Sequence, residues 1–210
     1  MNKTKIQLSK LETELVNNKE WIFTKQKVIE KVYYLFGELH HQYKKIIEEQ
    51  KTFLPSIILK PGAKINRGEN YKGLPYLLLD YPAIFSKENI FAVRTMFWWG
   101  NFFSISLHLS GKYFNCGDDM YQWISFFQQK NFLVCVNETQ WEHDFYSLNF
   151  IEIKGMNEKQ INFLSKKDFF KVAKKIELSE WDNAPEFLAQ SFKEIIEFIK
   201  INFPGGERVL

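Results

Sequence analysis

Residues 90–111 read IFAVRTMFWWGNFFSISLHLSG, two β-rich apolar runs on either side of Gly100-Asn101. Gly adopts positive φ freely and Asn tolerates it, so this pair suits a tight two-residue turn and the stretch predicts a β-hairpin. Side chains alternate across a strand, so the turn fixes the faces. A two-residue turn places Ala92, Arg94, Met96 and Trp98 with Phe103, Ile105, Leu107 and Leu109. It places Val93, Thr95, Phe97 and Trp99 with Phe102, Ser104, Ser106 and His108.

Outward from the hairpin, helical and strand patterns alternate. Upstream, Ser9 and Glu12 fit a capping box ahead of Leu11, Leu15 and Val16. From Thr24 to Gln50, Val28, Val32, Leu35, Phe36, Leu39, Tyr43, Ile46 and Ile47 recur every three or four residues, which is one face of a helix. Lys60–Pro75, rich in Gly, Pro and Asn, reads as a loop, and Tyr76–Asp80 as a short buried strand stopped by Tyr81-Pro82. Downstream come a helix from Asp118 to Lys130, strands over 132–136 and 148–153, a short helix over 157–164 and a strand over 170–178. A last helix runs from Pro185 to Asn202, with Leu188, Phe192, Ile195 and Ile199 inward. The expectation is an α+β fold, with an antiparallel or mixed sheet of about five to six strands around the 90–110 hairpin, covered by N- and C-terminal helices. Residues 1–210 read as one domain, with a helical part over 1–52, a sheet region over 73–178 and a C-terminal helix over 184–203.

Composition narrows the function classes. The 210 residues are 45% hydrophobic and 25% charged, an ordinary globular balance, and 17% aromatic, which points to a ring-filled core. The net charge of +3 is uneven: residues 1–64 hold 12 basic and 7 acidic side chains. That excess is too small for a dedicated nucleic-acid binder. No apolar run suits a signal or a membrane span. Cys116 and Cys135 lack disulfide or metal spacing and read as free thiols in a reducing cytoplasm. No cofactor fingerprint or metal motif is present, Glu142-His143-Asp144 being a triplet of ligand types without the rest of a site.

Four features could carry chemistry. Arg94, set among apolar neighbours, needs a partner: either it hooks an anionic ligand, or it pairs with Asp80, Glu88 or Asp118. Thr95, Ser104, Ser106 and His108, beside Trp98 and Trp99, give the mixed apolar and polar composition of a small-molecule pocket. Lys64, Arg67 and Lys72 lie among glycines and could cradle phosphate from a loop. Lys166, Lys167, Lys171, Lys174 and Lys175 form a cluster that is either a contact for nucleic acid or an acidic partner or a lysine-guarded strand edge. The leading expectation is a cytoplasmic protein that binds a small anionic or aromatic ligand near Arg94. The alternatives are an enzyme on a phosphorylated or nucleotide substrate, with His108 or His143 as acid/base, and a macromolecular interaction protein using its lysines.

Overall fold

The computed structural model describes residues 6–60, 62–114, 119–146 and 149–203. Within them the chain is α+β, built on one antiparallel sheet. Two helices open it, α1 (Lys10–Asn17) and α2 (Lys19–Gln50), followed by a short α3 (Ser56–Leu59). Four consecutive strands come next: β1 (Lys64–Tyr71), β2 (Leu74–Phe85), β3 (Ile90–Trp98) and β4 (Phe102–Ser110). Then follow α4 (Met120–Gln129), β5 (Leu133–Cys135), β6 (Phe150–Glu152), α5 (Glu158–Ser165), β7 (Phe169–Glu177) and α6 (Ala184–Asn202). The strand order is β1-β2-β3-β4-β7-β5-β6, and each neighbouring pair is antiparallel.

The sheet has seven strands rather than five or six, and the extra one is β1. The segment expected as a loop over 60–75 pairs with β2 from Lys64↔Asp80 to Tyr71↔Leu74. Lys72 and Gly73, at φ 50° and 85°, make the two-residue turn between them. The many glycines and asparagines mark an edge strand with a tight turn, not an absence of strand. β2 also runs past Asp80. Its pairing with β3 shifts between Asp80 and Ala83, and that irregularity accommodates Pro82, which has no N–H for the ladder. The expected helix start at Asp118, the strand start at Leu148 and the Pro204-Gly205-Gly206 stop lie outside the described residues, as does Cys116.

The hairpin exists, but its turn has three residues. Trp98 pairs with Phe102, the Asn101 N–H donates to the Trp98 carbonyl at 3.1 Å, and Trp99 leaves the ladder. Arg94 therefore faces Ser106, not Leu107, and Thr95 faces Ile105, not Ser106. One residue of slip exchanges the faces of the whole returning strand. Phe103, Ile105, Leu107 and Leu109 share a side with Phe91, Val93, Thr95 and Phe97. Ser104, Ser106 and His108 join Ala92, Arg94, Met96 and Trp98. The physical reason is segregation. The two-residue register would set Arg94 among four large apolar side chains, whereas this one gathers Arg94 with hydroxyls and an imidazole.

The apolar side is the one the helices cover. Phe36, Leu39 and Tyr43 of α2 and Leu188, Phe192 and Ile195 of α6 form one core with Leu77, Leu79, Phe97, Phe103, Ile105, Leu107 and Val172. Tyr43 stacks on Phe192 with ring centroids 3.8 Å apart, and its hydroxyl meets the Thr95 hydroxyl at 3.1 Å. Thr95 thus satisfies its oxygen inside the core. The predicted inward stripe of the last helix, Leu188, Phe192, Ile195 and Ile199, is fully buried. Among the described residues no helix is long and apolar enough to cross a membrane.

Gly100 sits at φ 71° in the turn. A Cβ there would meet no neighbour within 4 Å, so the cost of a side chain is conformational alone. Gly100→Val should destabilise the protein by about 1–3 kcal/mol in urea unfolding, because β-branched residues resist positive φ, and Gly100→Asn should cost less. Equal stabilities for the two variants would contradict this backbone.

Candidate functional site

The side of the sheet opposite the helices carries a polar cluster under the segment that joins β5 to β6. Asp80 on β2 and Arg94 on β3 are cross-strand partners. The Arg94 Nε donates to Asp80 Oδ1 at 2.7 Å and its Nη2 to Oδ2 at 3.0 Å, a bidentate pair. Asp80 is buried, and only 15% of the Arg94 side chain is exposed. The ion pair with Asp80, one of the pairings open for Arg94, is formed. The third contact of the guanidinium is Nη1 to His143 Nε2, at 3.2 Å. Three of its five N–H donors are thereby used; the other two, one on each terminal nitrogen, have no acceptor among the described residues.

His143 reaches this position because its segment is tied down from three strands. The Tyr71 hydroxyl at the end of β1 accepts the backbone N–H of His143 at 2.8 Å and of Asp144 at 3.2 Å, and donates to Glu142 Oε2 at 3.1 Å. Lys72 pairs with Asp144 and with Glu142. On β4, His108 Nε2 meets Gln140 Oε1 at 2.8 Å. On β7, Lys171 Nζ donates to the Gln140 carbonyl at 3.0 Å and to the Glu142 carbonyl at 2.5 Å, and lies 3.3 Å from His143 Nδ1.

The proton inventory of this chain is constrained. Arginine can only donate, so His143 Nε2 accepts. A neutral imidazole then carries its proton on Nδ1, facing Lys171. That bond closes only if Lys171 is a neutral amine, with two N–H groups on the carbonyls and its lone pair on Nδ1–H. The electrostatics agree. Lys171 is 1% exposed, and burial, reinforced by the Arg94 charge, lowers its pKa to about 7. Burial first, then the charges of Lys171 and Arg94, hold His143 well below the usual imidazole value. His108 is lowered to about 3 by burial and by Lys171. No carboxylate is within salt-bridge reach of Lys171 among the described residues.

A cleft of about 460 Å³ opens over the outer end of this cluster. Asp80 and Arg94 line it together with Lys64 and Asn66 of β1, Phe85 at the end of β2, and Trp141. Phe85 lies against the Arg94 guanidinium, 5.6 Å from its ring centroid, and Trp141 lies edge-on to His108 with centroids 5.7 Å apart. Half of Trp141 is exposed.

The residues singled out from sequence are thus dispersed. Arg94, Trp98, Ser104, Ser106 and His108 share the open side of the sheet. Trp98 belongs to a small cluster with Leu78, Met96 and Phe102, and its indole N–H donates to the Tyr71 carbonyl. Thr95 is buried under the helices, and Trp99 lies at the turn against Phe97 and Trp21. Lys64, Arg67 and Lys72 do not form a cradle. They are spaced along β1 and its turn: Lys64 lines the cleft, Arg67 pairs with Glu69, and Lys72 pairs with Asp144. The lysine cluster is split as well. Lys171 is buried, Lys174 pairs with Glu194 on the helical side and Lys175 pairs with Glu177. Among the described residues no group of three His, Cys, Asp or Glu side chains is placed to hold a metal ion. In the sequence Asp80 stands out only as a possible partner of Arg94, and Lys171 only as one of a cluster of lysines. The signal for Lys171 was its alternation with Phe169 and Ala173, an inward parity for a charged residue.

The perturbed groups set a pH dependence. Between about pH 7 and 10.5 the unfolded chain binds a proton on Lys171 that the folded chain does not. Stability therefore rises with pH across that window, and the penalty of burying the ammonium is complete below it. His108 acts in the same sense lower down: unfolding takes up a proton between about pH 3 and 6.5, so stability falls as pH falls through that range. Urea unfolding should show a protein more stable at pH 9 than at pH 6. Lys171→Met should lower stability overall by unpairing two carbonyls, yet flatten the slope above pH 7; an unchanged slope would contradict a neutral Lys171.

No protein-family model, no curated protein and no solved structure matches the chain.

Proposed function

We propose that the cleft over Asp80 and Arg94 binds a small molecule carrying a carboxylate or phosphate beside a flat apolar body. The observation that carries this reading is the state of Arg94. Asp80 and His143 hold its guanidinium in one orientation, while two N–H groups on its terminal nitrogens have no acceptor among the described residues. An arginine fixed by partners behind it loses little entropy on meeting an anion. The remaining charge at the cleft is positive: Asp80 and Arg94 offset each other, His143 is held neutral, and Lys64 at the rim adds a cation. Phe85 and Trp141 offer apolar ring surface beside the anion position. The cleft volume lies in the range of about 300–1,000 Å³ usual for small-molecule sites.

The reading is of a binding protein and assigns no bond-breaking step. Of the candidate acid/base groups, His108 is buried with its Nε2 on Gln140, and His143 is half-buried with both ring nitrogens engaged by Arg94 and Lys171. The same proposal takes residues 1–210 as one domain of a cytoplasmic protein. The one-domain part is supported by the main apolar core, which joins α2, the central strands and α6.

The test uses Trp141, because its exposed side chain can be truncated with little effect on folding, within about 0.5 kcal/mol. Thermal-shift titration with a panel of aromatic carboxylates and phosphates should find ligands that raise the wild-type melting temperature. Trp141→Ala and Lys64→Ala should each weaken those ligands about tenfold or more, equivalent to 1.4 kcal/mol. Ligands that bind both variants as tightly as wild type, or a panel with no binder at millimolar concentration, would overturn the proposal.

A further inference from the structure

Arg94 and Lys171 hold the two nitrogens of one imidazole. Arg94 Nη1 lies 3.2 Å from His143 Nε2, and Lys171 Nζ lies 3.3 Å from Nδ1. A neutral ring has one N–H and one lone pair. Arginine only donates, so its contact takes the lone pair and leaves the hydrogen for Lys171. That arrangement suits an amine with a lone pair of its own. An ammonium has three N–H groups, and the three atoms around Nζ are the Gln140 carbonyl, the Glu142 carbonyl and Nδ1. With Lys171 protonated, two donors compete for one lone pair, and only one contact survives.

We propose that this competition is a proton-operated switch: a proton arriving on Lys171 moves the hydrogen of His143 from Nδ1 to Nε2 and opens the contact with Arg94. One proton is taken from solvent by the amine, and the ring exchanges its own hydrogen between its nitrogens and stays neutral. The partners decide which contact opens. Arg94 is already compensated, because Asp80 accepts from it twice. Lys171 has no such compensation from the elements packed against it. From β3 it faces the Arg94 charge, and from β4 His108, held neutral by burial. From β5 it faces Cys135, whose thiol pKa burial raises, and from β6 the Phe150 ring, 5.6 Å from Nζ. On its own side of β7, Lys167 donates to the Asn137 carbonyl. In the connecting segment, Glu142 is engaged by Tyr71 and Lys72, and Asp144 by Lys72 and Asn149. A buried ammonium in these surroundings needs its third acceptor more than Arg94 does.

Burial and the Arg94 charge place the arrival of the proton at about pH 7. The ring is not its destination, since burial and the two cations hold His143 well below the usual imidazole value. The switch acts on the segment between β5 and β6. Above it, β3 and β7 both grip His143. Below it the grip from β3 is lost, and Arg94, which lines the cleft with Trp141, has one more N–H free. The Asp80 pair is untouched.

The experiment is long-range proton–nitrogen-15 NMR of the full chain from pH 9 to pH 5.5, following the ring nitrogens of His143 and the indole N–H of Trp141 in wild type and Lys171→Met. The wild type should carry the His143 hydrogen on Nδ1 at pH 9 and on Nε2 at pH 5.5. The midpoint should lie near pH 7, and the Trp141 signal should shift with it. Lys171→Met offers no donor to the ring, so it should keep Nδ1–H throughout and show no step. Wild type alone is decisive if that variant does not fold. A ring that keeps its hydrogen on Nδ1 down to pH 5.5, a ring that becomes an imidazolium, a Trp141 signal that ignores the step, or a folded Lys171→Met that retains it would overturn the inference. The spectra contain no ligand, so their outcome is separate from that of the binding panel.

Discussion

The parity of the β3–β4 hairpin governs where everything else can go. Its three-residue turn over Trp99, Gly100 and Asn101 pairs Trp98 with Phe102, and every later pair follows from that contact. In this register both strands turn apolar side chains to the helices, with Thr95 as the exception. Thr95 is tolerated because the Tyr43 hydroxyl meets it inside the core. The other side then collects Arg94, Ser104, Ser106 and His108, and a polar segment has to cross it. A slip of one residue in the turn would instead set Ser104, Ser106 and His108 of β4 on the side of α2 and α6, where burying such groups without partners costs about 1–3 kcal/mol each.

Charge burial on the open side follows a graded logic. Arg94 stays ionised because Asp80 meets it with two hydrogen bonds. Removing either member of such a pair typically costs about 3–5 kcal/mol, since the other charge is left behind. Lys171 has no equivalent partner among the described residues, and burial lowers its pKa to about 7, so that it gives up its proton above that pH. His143 lies between them, accepting from the arginine and donating to the amine. One imidazole thus links a permanently charged group on β3 to a neutralised one on β7, and fixes the segment that carries Trp141 over the cleft. Tyr71 holds the same segment from the first strand, and its hydroxyl, pushed up to about 12 by burial, remains a donor at any ordinary pH.

Much of the scaffold was legible because periodicity reports burial directly. The stripe of α6 and the capping box at Ser9 are present as read; that of α2 is present over Val32–Ile47, with Ile29 buried in addition, Val28 and Leu35 only half-covered and the helix starting at Lys19 rather than Thr24. The readings that differed were those that turn on a single residue. Counting Trp99 as strand rather than turn reversed the faces of β4, and with them the neighbours of Arg94. The glycines and asparagines between Lys60 and Pro75 concealed β1, because an edge strand needs apolar residues on one side only. The site was less legible than the fold. Its members come from β1, β2, β3, β4, β7 and a connecting segment, so no local spacing unites them. The alternative pairing of Arg94 with Asp80 could be named in advance, whereas the joining of His143 to Lys171 depends on the path of the connecting segment, which no periodic pattern encodes.

The link from Arg94 to Lys171 requires His143 to be a neutral imidazole with its proton on Nδ1. Nitrogen-15 NMR of the histidine side chains reads this directly, because protonated and unprotonated ring nitrogens resonate far apart. At pH 9, where Lys171 is a neutral amine, the structure predicts a His143 ring with Nδ1 protonated and Nε2 unprotonated, and a ring that does not become an imidazolium near the ordinary 6.5 as the pH is lowered. A ring protonated on Nε2 at pH 9, or one that becomes an imidazolium near 6.5, would contradict the chain from Arg94 to Lys171 and the fixed guanidinium that the binding proposal requires.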